Sequence, residues 1–432
     1  MICEYEMKIE QKKRIWFINQ NSYLPEDGPH IRHYALGKYL SRDGYESFVF
    51  AGNELHHNGR RIDTGKELYV EKHRDGVHFF YIKTHHYSKN DAHRILNIIS
   101  FYLNVFKVCR KVEKEYGKPD VIYASSMYPT ALLAGIKLAK KYKVKCISEN
   151  RDIVPDGFVA NGAIKENGFL VKMMRLFMRR IFEKSDALVF TMSEGTKYIS
   201  DMNWDKAHGG KIDMAKVFYI NNGVDMEAVE ENEDRYVLDD PDLDNPSIFK
   251  VVYFGAIRFM NQMPLFIDTA LELKRRGCND IKILMWGNGT KIEEMRIKLV
   301  QQNLDNIVLK GYVDKQYIPG IAKRADVFIG TGNSCSVGKY GISFNKLFDY
   351  LAAGKPIILP FKVAGSIVAE NGAGLEIDNA DAKTLADILI SFKQMGSDEY
   401  KQYCNNSKKI AKQFDYKVLS KQVESVIELI DN

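Results

Sequence analysis

The chain predicts an α/β protein built from two Rossmann-like, doubly wound parallel-sheet domains that face a central cleft. Three observations carry this. Short apolar runs of strand length alternate with amphipathic stretches of helical period over most of the sequence, a pattern that builds parallel sheets covered on both faces. The alternation lapses once, in the acidic, proline-containing segment 227–247, and then restarts. With 432 residues the chain also exceeds the size at which a single core usually divides. The expected organisation is 1–226 as an N-terminal domain, 227–247 as a linker, 248–412 as a C-terminal domain, and 413–432 as a helix packing back toward the first domain.

The elements follow in order. A strand is expected at Arg14–Asn19, then a polar loop over Gln20–His30. A helix over Ile31–Leu40 is stopped by Asp43-Gly44, and a strand returns at Phe48–Ala51. Further strands are expected at Gly76–Ile82, Val121–Ala124, Lys145–Ser148, Ala187–Thr191 and Val217–Ile220, with helices over Thr130–Tyr142 and Gly168–Lys184. Beyond the linker, strands at Lys250–Phe254, Lys282–Trp286, Ile307–Lys310 and Val327–Ile329 alternate with helices at Pro264–Arg276, Lys291–Gln302 and Ile318–Ala325. Helices over Asp381–Met395, Asp398–Phe414 and Lys417–Ile430 close the chain.

Composition narrows the class. Hydrophobic residues at 45% and charged residues at 27% are ordinary for a globular protein. No apolar run reaches the ~20 residues needed to span a bilayer, and the opening MICEYEMKIEQKKR lacks the apolar core of a signal peptide, with Met7 a possible second start. A net charge of +6 without aromatic-interleaved basic runs does not suggest nucleic acid. Six scattered cysteines form no CxxC pair, so neither a zinc site nor a disulfide framework is indicated. The expected setting is cytoplasmic.

The richest stretch is Gly341–Phe361, GISFNKLFDYLAAGKPIILPF. Ser343 can cap a helix whose apolar face is Leu347, Tyr350 and Leu351. Gly354 and Pro356 stop it, and Ile357–Leu359 is a buried strand. The free N–H groups of such a helix start hold anions. Lys346 lies in the first turn, where a cation opposes the helix dipole. A bound anion removes that conflict; a surface pairing with Asp349 is the other reading.

Other strand ends offer polar groups. Gly287-Asn288-Gly289 turns tightly into a helix, and Gly311-Tyr312-Val313 can present backbone to a base edge. Arg258 follows the strand ending at Phe254 and can clamp a diphosphate. In the first half, Glu149-Asn150-Arg151-Asp152 suits a cleft wall: either acid can act as a base, or Arg151 can bind phosphate. The loop Pro25–His33 leads through Gly28 into a helix, with His30, Arg32 and His33 able to reach an acceptor. The helix at 169–184 is basic and amphipathic: Lys172, Arg175 and Arg179 on one side, Leu170, Met174, Phe177 and Ile181 on another. That pattern covers a sheet or lies on an anionic membrane.

Taken in order, PEDGPHIRHYALGKYLSRDGY, SDALVFTMSEG, INNGVD, YFGAIR, MWGNGTKIEEM, NIVLKGYVDKQYIP, RADVFIG and NKLFDYLAAGKPII resemble the retaining GT-B-fold glycosyltransferases of bacteria, in the family 4-like group. The segment with Glu149, Arg151, Asp152 and Pro155 is similar to the O-antigen and capsule branch. The resemblance covers roughly Arg14 to Ile430. It implies transfer of a sugar, with retention, from a nucleoside diphosphate sugar, UDP-linked by expectation. The acceptor would be a hydroxyl of a lipid-linked or glycan molecule in surface polysaccharide synthesis.

For residues, the resemblance implies that Gly311, Tyr312 and Val313 hold the base and Asp349 the ribose. Arg258 and Asn261 would face the diphosphate from one side, and Ser343, Asn345 and Lys346 from the other, with Gly28, Gly287 and Gly289 close by. Asp152, Arg151, Glu149, Arg258 and Lys346 are the expected catalytic group, and His30, Arg32 and His33 the acceptor side. No metal or other cofactor is expected, since no acidic cluster of DxD type appears at a strand end. A front-face route, in which the leaving phosphate takes the acceptor proton, fits the lack of a covalent nucleophile. A lipid-linked acceptor implies contact with the inner face of the membrane.

The chain departs from the family pattern in three places. Gly341 stands where the first acid of a Glu-x7-Glu pair is expected, and Asp349 where the second is. Arg151 replaces a cleft histidine. A lysine of the first C-domain loop is replaced by one of Asn261, Gln262 or Met263. A nucleotide-sugar epimerase on the same fold and a degenerate binding subunit are the rival readings.

Overall fold

The computed structural model describes residues 12–55, 59–87, 91–126, 128–160, 162–257, 262–332 and 338–431. The first domain opens with β1 (Arg14–Ile18), α1 (Arg32–Arg42) and β2 (Glu46–Gly52). A small hairpin of β3 (Glu54–Leu55) and β4 (Arg60–Arg61) precedes β5 (Tyr69–Arg74) and β6 (Val77–Ile82). Then come α2 (Ala92–Tyr116), β7 (Val121–Ser126), α3 (Pro129–Tyr142), β8 (Lys145–Asn150), α4 (Asp156–Ala160) and α5 (Phe169–Lys184). The domain finishes with β9 (Ala187–Phe190), α6 (Gly195–Asp201) and β10 (Val217–Tyr219). The sheet order is β10-β9-β8-β7-β1-β2-β6-β5, parallel except for the antiparallel edge strand β5.

Sequence period explains how β1 sits. Trp16 and Ile18 point into one core layer with residues of α2, α3 and α5. Ile15 and Phe17 point into the opposite layer, with α1. All four are fully buried, as expected for a central strand covered on both faces.

After α7 (Met226–Glu233) the second domain alternates β11 (Phe249–Phe254), α8 (Met263–Arg275), β12 (Ile281–Trp286), α9 (Ile292–Gln301), β13 (Ile307–Gly311) and α10 (Ile318–Lys323). It continues with β14 (Val327–Ile329), α11 (Asn345–Ala353), β15 (Ile357–Leu359), β16 (Gly374–Glu376), α12 (Ala382–Gln394) and α13 (Ser397–Gln413), and α14 (Tyr416–Asp431) ends the chain. The second sheet is parallel, in the order β13-β12-β11-β14-β15-β16. Two doubly wound parallel sheets make this the GT-B architecture.

Three features differ from the reading of the sequence. The acidic segment 227–247 begins as helix α7, because Asp225 caps it by accepting from Ala228 N. Its carboxylates are held down by bases of the second domain: Lys310 on Asp240 and Asp242, Lys282 on Asp242, Arg324 on Asp244. Second, α5 buries Val171, Met178, Ile181 and Phe182 rather than a stripe through Leu170 and Phe177, which are exposed. Third, the 25-residue helix α2 and strand β5 had no clear signal. The exposed Ile95, Leu96, Ile99 and Leu103 of α2 blur its amphipathic period.

Helix α14 packs on α1 and puts Leu419, Val423, Val426 and Ile427 into the core of the first domain. The chain therefore crosses between domains twice, and the crossings lie side by side. Val224 N donates to Phe414 O at 3.0 Å and Tyr416 N to Val224 O at 2.9 Å. A Cβ on Gly223 would lie 2.2 Å from Phe414 O, so glycine is required where the crossings touch.

Candidate active site

The C-terminal ends of β11 and β14 and the start of α11 converge at the cleft. Phe344, not Ser343, occupies the N-cap position of α11, and no side chain caps the helix. Lys346 reaches back over the strand ends. Its Nζ donates to Tyr253 Oη at 3.1 Å and Thr331 Oγ1 at 3.2 Å, and lies 4.4 Å from the centre of the Tyr253 ring. The alternative pairing with Asp349 does not form, because Asp349 is taken by Lys315 at 3.2 Å. Among the described residues, no carboxylate forms an ion pair with Lys346. A lysine and an uncapped helix start thus concentrate positive potential at one point.

Glycines shape the floor. A Cβ on Gly255 would come within 3.0 Å of Lys346 Nζ and 2.9 Å of Tyr253 Oη, at a φ of +143°. A Cβ on Gly287 would strike Gly255 O at 1.8 Å, and one on Gly289 would strike Ile257 O at 2.1 Å. Gly287 and Gly289 therefore serve first to let two loops touch, tied by Gly255 N to Trp286 O and Ile257 N to Asn288 O, both at 3.0 Å. Gly311 accepts from Gly287 N at 2.7 Å, and beyond it Tyr312 stands exposed with Val313 partly covered. Arg258 and Asn261 lie outside the described residues.

Across the cleft, His30 faces α11, its Nδ1 3.5 Å from Asn345 Nδ2. Gly28 is buried in the turn before it, donating to Leu24 O at 3.2 Å. Ser343 is bonded to the first domain: its hydroxyl donates to Asn221 Oδ1 at 2.5 Å, and Asn222 Nδ2 donates to Ser343 O at 2.9 Å.

The structure moves three candidates out of the cleft. Arg32, His33 and Glu149 are buried, at 2%, 0% and 0% exposure, so none can touch an acceptor or a sugar. Glu149 Oε1 accepts from Arg32 Nε and Tyr123 Oη, both at 2.7 Å. Its Oε2 accepts from Ser125 Oγ at 2.6 Å and lies 3.0 Å from His33 Nε2. Four partners satisfy a buried carboxylate fully. Burial alone would raise its pKa, but Arg32 and then His33 hold it well below the usual carboxylate range. Burial dominates for His33 and lowers its pKa. The same guanidinium of Arg32 donates to the carbonyls of Ile220 and Asn221. Glu149 therefore positions Arg32, and Arg32 holds the segment that carries Asn221 to Ser343.

Arg151 and Asp152 remain at the wall beyond β8. Asp152 opens to solvent, yet the protein packed around it pushes its carboxyl above the usual range, with Arg151 pulling the other way. Arg151 Nε is buried and has no hydrogen-bond partner.

Sequence reasoning missed the contact that explains Gly341. This residue has a φ of +90°, and a Cβ there would lie 2.6 Å from Ser193 Oγ. Glu194 N donates to Tyr340 O at 3.1 Å, so the loop after β9 presses on this turn. The room that an acidic side chain would need is filled by the first domain.

Residues 248–394, from β11 through α12, match the family described as Glycosyl transferases group 1. No curated protein matches the chain in sequence. Solved structures share its fold at low identity. Anabaena HepE in complex with UDP and glucose aligns with a TM-score of 0.63 at 14% identity, covering 96% of this chain and 100% of that one. Sucrose-phosphate synthase from Thermosynechococcus elongatus gives 0.68 at 14%, covering 97% and 99%. A UDP-forming α,α-trehalose-phosphate synthase from Burkholderia xenovorans gives 0.69 at 13%, covering 96% and 100%. Residues 248–394 therefore carry a glycosyl transferases group 1 domain, set within two domains that share the GT-B arrangement of these structures.

Proposed function

We propose that the protein transfers a sugar, with retention of anomeric configuration, from a UDP-sugar to a hydroxyl of a lipid-linked or glycan acceptor in bacterial surface polysaccharide synthesis. The observation that carries this is Lys346, without a carboxylate partner at the uncapped start of α11 and aimed at the ends of β11 and β14. A leaving diphosphate needs charge stabilisation as the glycosidic bond breaks, and this corner supplies it without a metal. The base lies along Gly311–Val313 and the ribose near Asp349, whose ion pair with Lys315 opens to receive it. His30 and Asn345 bracket the reacting sugar, and Asp152 and Arg151 line the acceptor wall.

The UDP and UDP-sugar ligands in the names of similar structures favour uridine as the base. The acceptor side favours the inner face of an anionic membrane. Phe169, Leu170, Met173, Leu176 and Phe177 of α5 are exposed beside Lys172 and Arg180, a pairing suited to the lipid boundary. No helix among the described residues is long and apolar enough to cross a membrane.

A panel of UDP-, GDP- and dTDP-sugars screened for thermal stabilisation identifies the donor, since a ligand bound by the folded state raises the melting temperature by mass action. Product NMR with that donor and a polyprenyl-linked acceptor then reports linkage and configuration. Donor epimerised without acceptor, or bound without transfer to any acceptor, overturns the reading.

A further inference from the structure

The N-terminal sheet carries, at its edge away from the cleft, a cluster that sugar transfer does not use. Strand β5 runs antiparallel to β6 with His73 directly opposite His78, so the two imidazoles share a face. Glu71 lies two residues before His73 and shares that face too. Its Oε1 is 3.0 Å from His73 Nε2 and 3.0 Å from His78 Nδ1. One potential ligand atom from each of the three groups lies within 4.8 Å of the others.

We propose that Glu71, His73 and His78 form a site for a divalent transition metal, with zinc the best match, that pins edge strand β5 to β6. Two imidazoles and one carboxylate are a donor set that zinc accepts, with a solvent molecule as fourth ligand. In a tetrahedral site with bonds of about 2.0–2.1 Å, neighbouring ligand atoms stand about 3.4 Å apart. Glu71 Oε1 stands at 3.0 Å from each imidazole nitrogen, and all three donor atoms lie within 4.8 Å of one another, so the three side chains must adjust together to surround an ion.

The surroundings hold these groups in place. The His78 ring stacks on Phe48 at 4.6 Å and meets Tyr116 edge-on at 4.8 Å. Tyr116 Oη lies 3.1 and 3.2 Å from the two Glu71 oxygens and orients the carboxylate, as outer partners of metal ligands do. The side chain of His73 is 55% exposed, which leaves an open path for the ion and its water. His78 is the second residue of β6, at the end opposite the cleft, so the ion acts on the sheet edge and not on the transferred sugar.

Metal-stripped full-length protein is titrated with zinc chloride by calorimetry and with cobalt(II) by visible absorption. One-to-one binding and the strong absorption of four-coordinate cobalt are expected. Zinc should raise the melting temperature of the wild type but not of His73→Ala or His78→Ala, with affinity falling at least about tenfold in each. His73→Ala removes a half-exposed side chain, and Glu71→Gln is the second variant should His78→Ala unfold. Absence of saturable binding overturns the site. So does binding that His73→Ala and Glu71→Gln both retain unchanged, which would assign the ion to other groups such as His85 and His93.

Discussion

The hydroxyl of Ser343 donates to Oδ1 of Asn221 at 2.5 Å, across the boundary between the domains. Asn222 Nδ2 reaches the same hydroxyl at 2.8 Å. Ser343 stands two residues before the start of α11, so this junction sets how the anion corner meets the first domain. Ser343→Ala removes both bonds. At about 1 kcal/mol for a neutral hydrogen bond, the donor KM should rise about five- to tenfold. Steady-state kinetics checks this; an unchanged KM would mean the junction does not govern donor binding.

Lys346→Ala should lower kcat by at least about 100-fold, the usual scale for one preorganised charge-stabilising donor. Folding should be little affected, because its protein partners are two hydroxyls. Single-turnover kinetics beside a melting curve separates the two effects. Near-normal turnover would remove Lys346 from the reaction.

Glu149→Gln breaks a buried pair and leaves the Arg32 charge uncompensated, at a cost of about 3–5 kcal/mol. Denaturant unfolding measures the loss. A variant of wild-type stability that lost only activity would return Glu149 to the cleft.

Acid should destabilise the fold in two stages. Burial lowers the His33 pKa from the ordinary 6.5, so below that pH the unfolded chain binds a proton that the folded chain resists. Stability is full above pH 6.5 and falls as pH drops through the window beneath it. Glu149 is held well below its ordinary 4.5, so its stabilisation is present above that value and is lost as pH falls further. His33→Gln should flatten the first stage in pH-dependent unfolding and leave the second.

Gly341→Glu should not strengthen the enzyme, although it supplies the acid that the family resemblance leads one to expect there. The φ of +90° and the approach of Ser193 Oγ both resist a side chain. The variant should melt lower than wild type and turn over no faster. A gain in kcat would show that the Ser193 loop yields.

Much of the fold was legible because period 2 and period 3.6 are local properties of the chain. Trp16 and Phe17 announce a strand covered on both faces without any knowledge of what covers it. The helix over 345–353 was legible through its apolar face and Gly354, and Lys346 through its conflict with the helix dipole. Arg32 and His33 were misjudged for the opposite reason. Two basic residues at a helix start read as surface groups until Glu149, more than a hundred residues away, is known to lie beneath them. Ser343 looked like a cap because its partner Asn221 is equally remote. Gly341 looked like a lost acid because the Ser193 loop that excludes a side chain lies in the other domain.

The return of α14 has a consequence for synthesis. One face of the first sheet is covered by α1, made early, and by Leu419, Val423, Val426 and Ile427, which leave the ribosome after the whole second domain. The opposite face is covered by α2, α3 and α5, made early. During translation the first domain therefore waits partly roofed while the second is assembled, and it needs protection from aggregation until its last helix arrives.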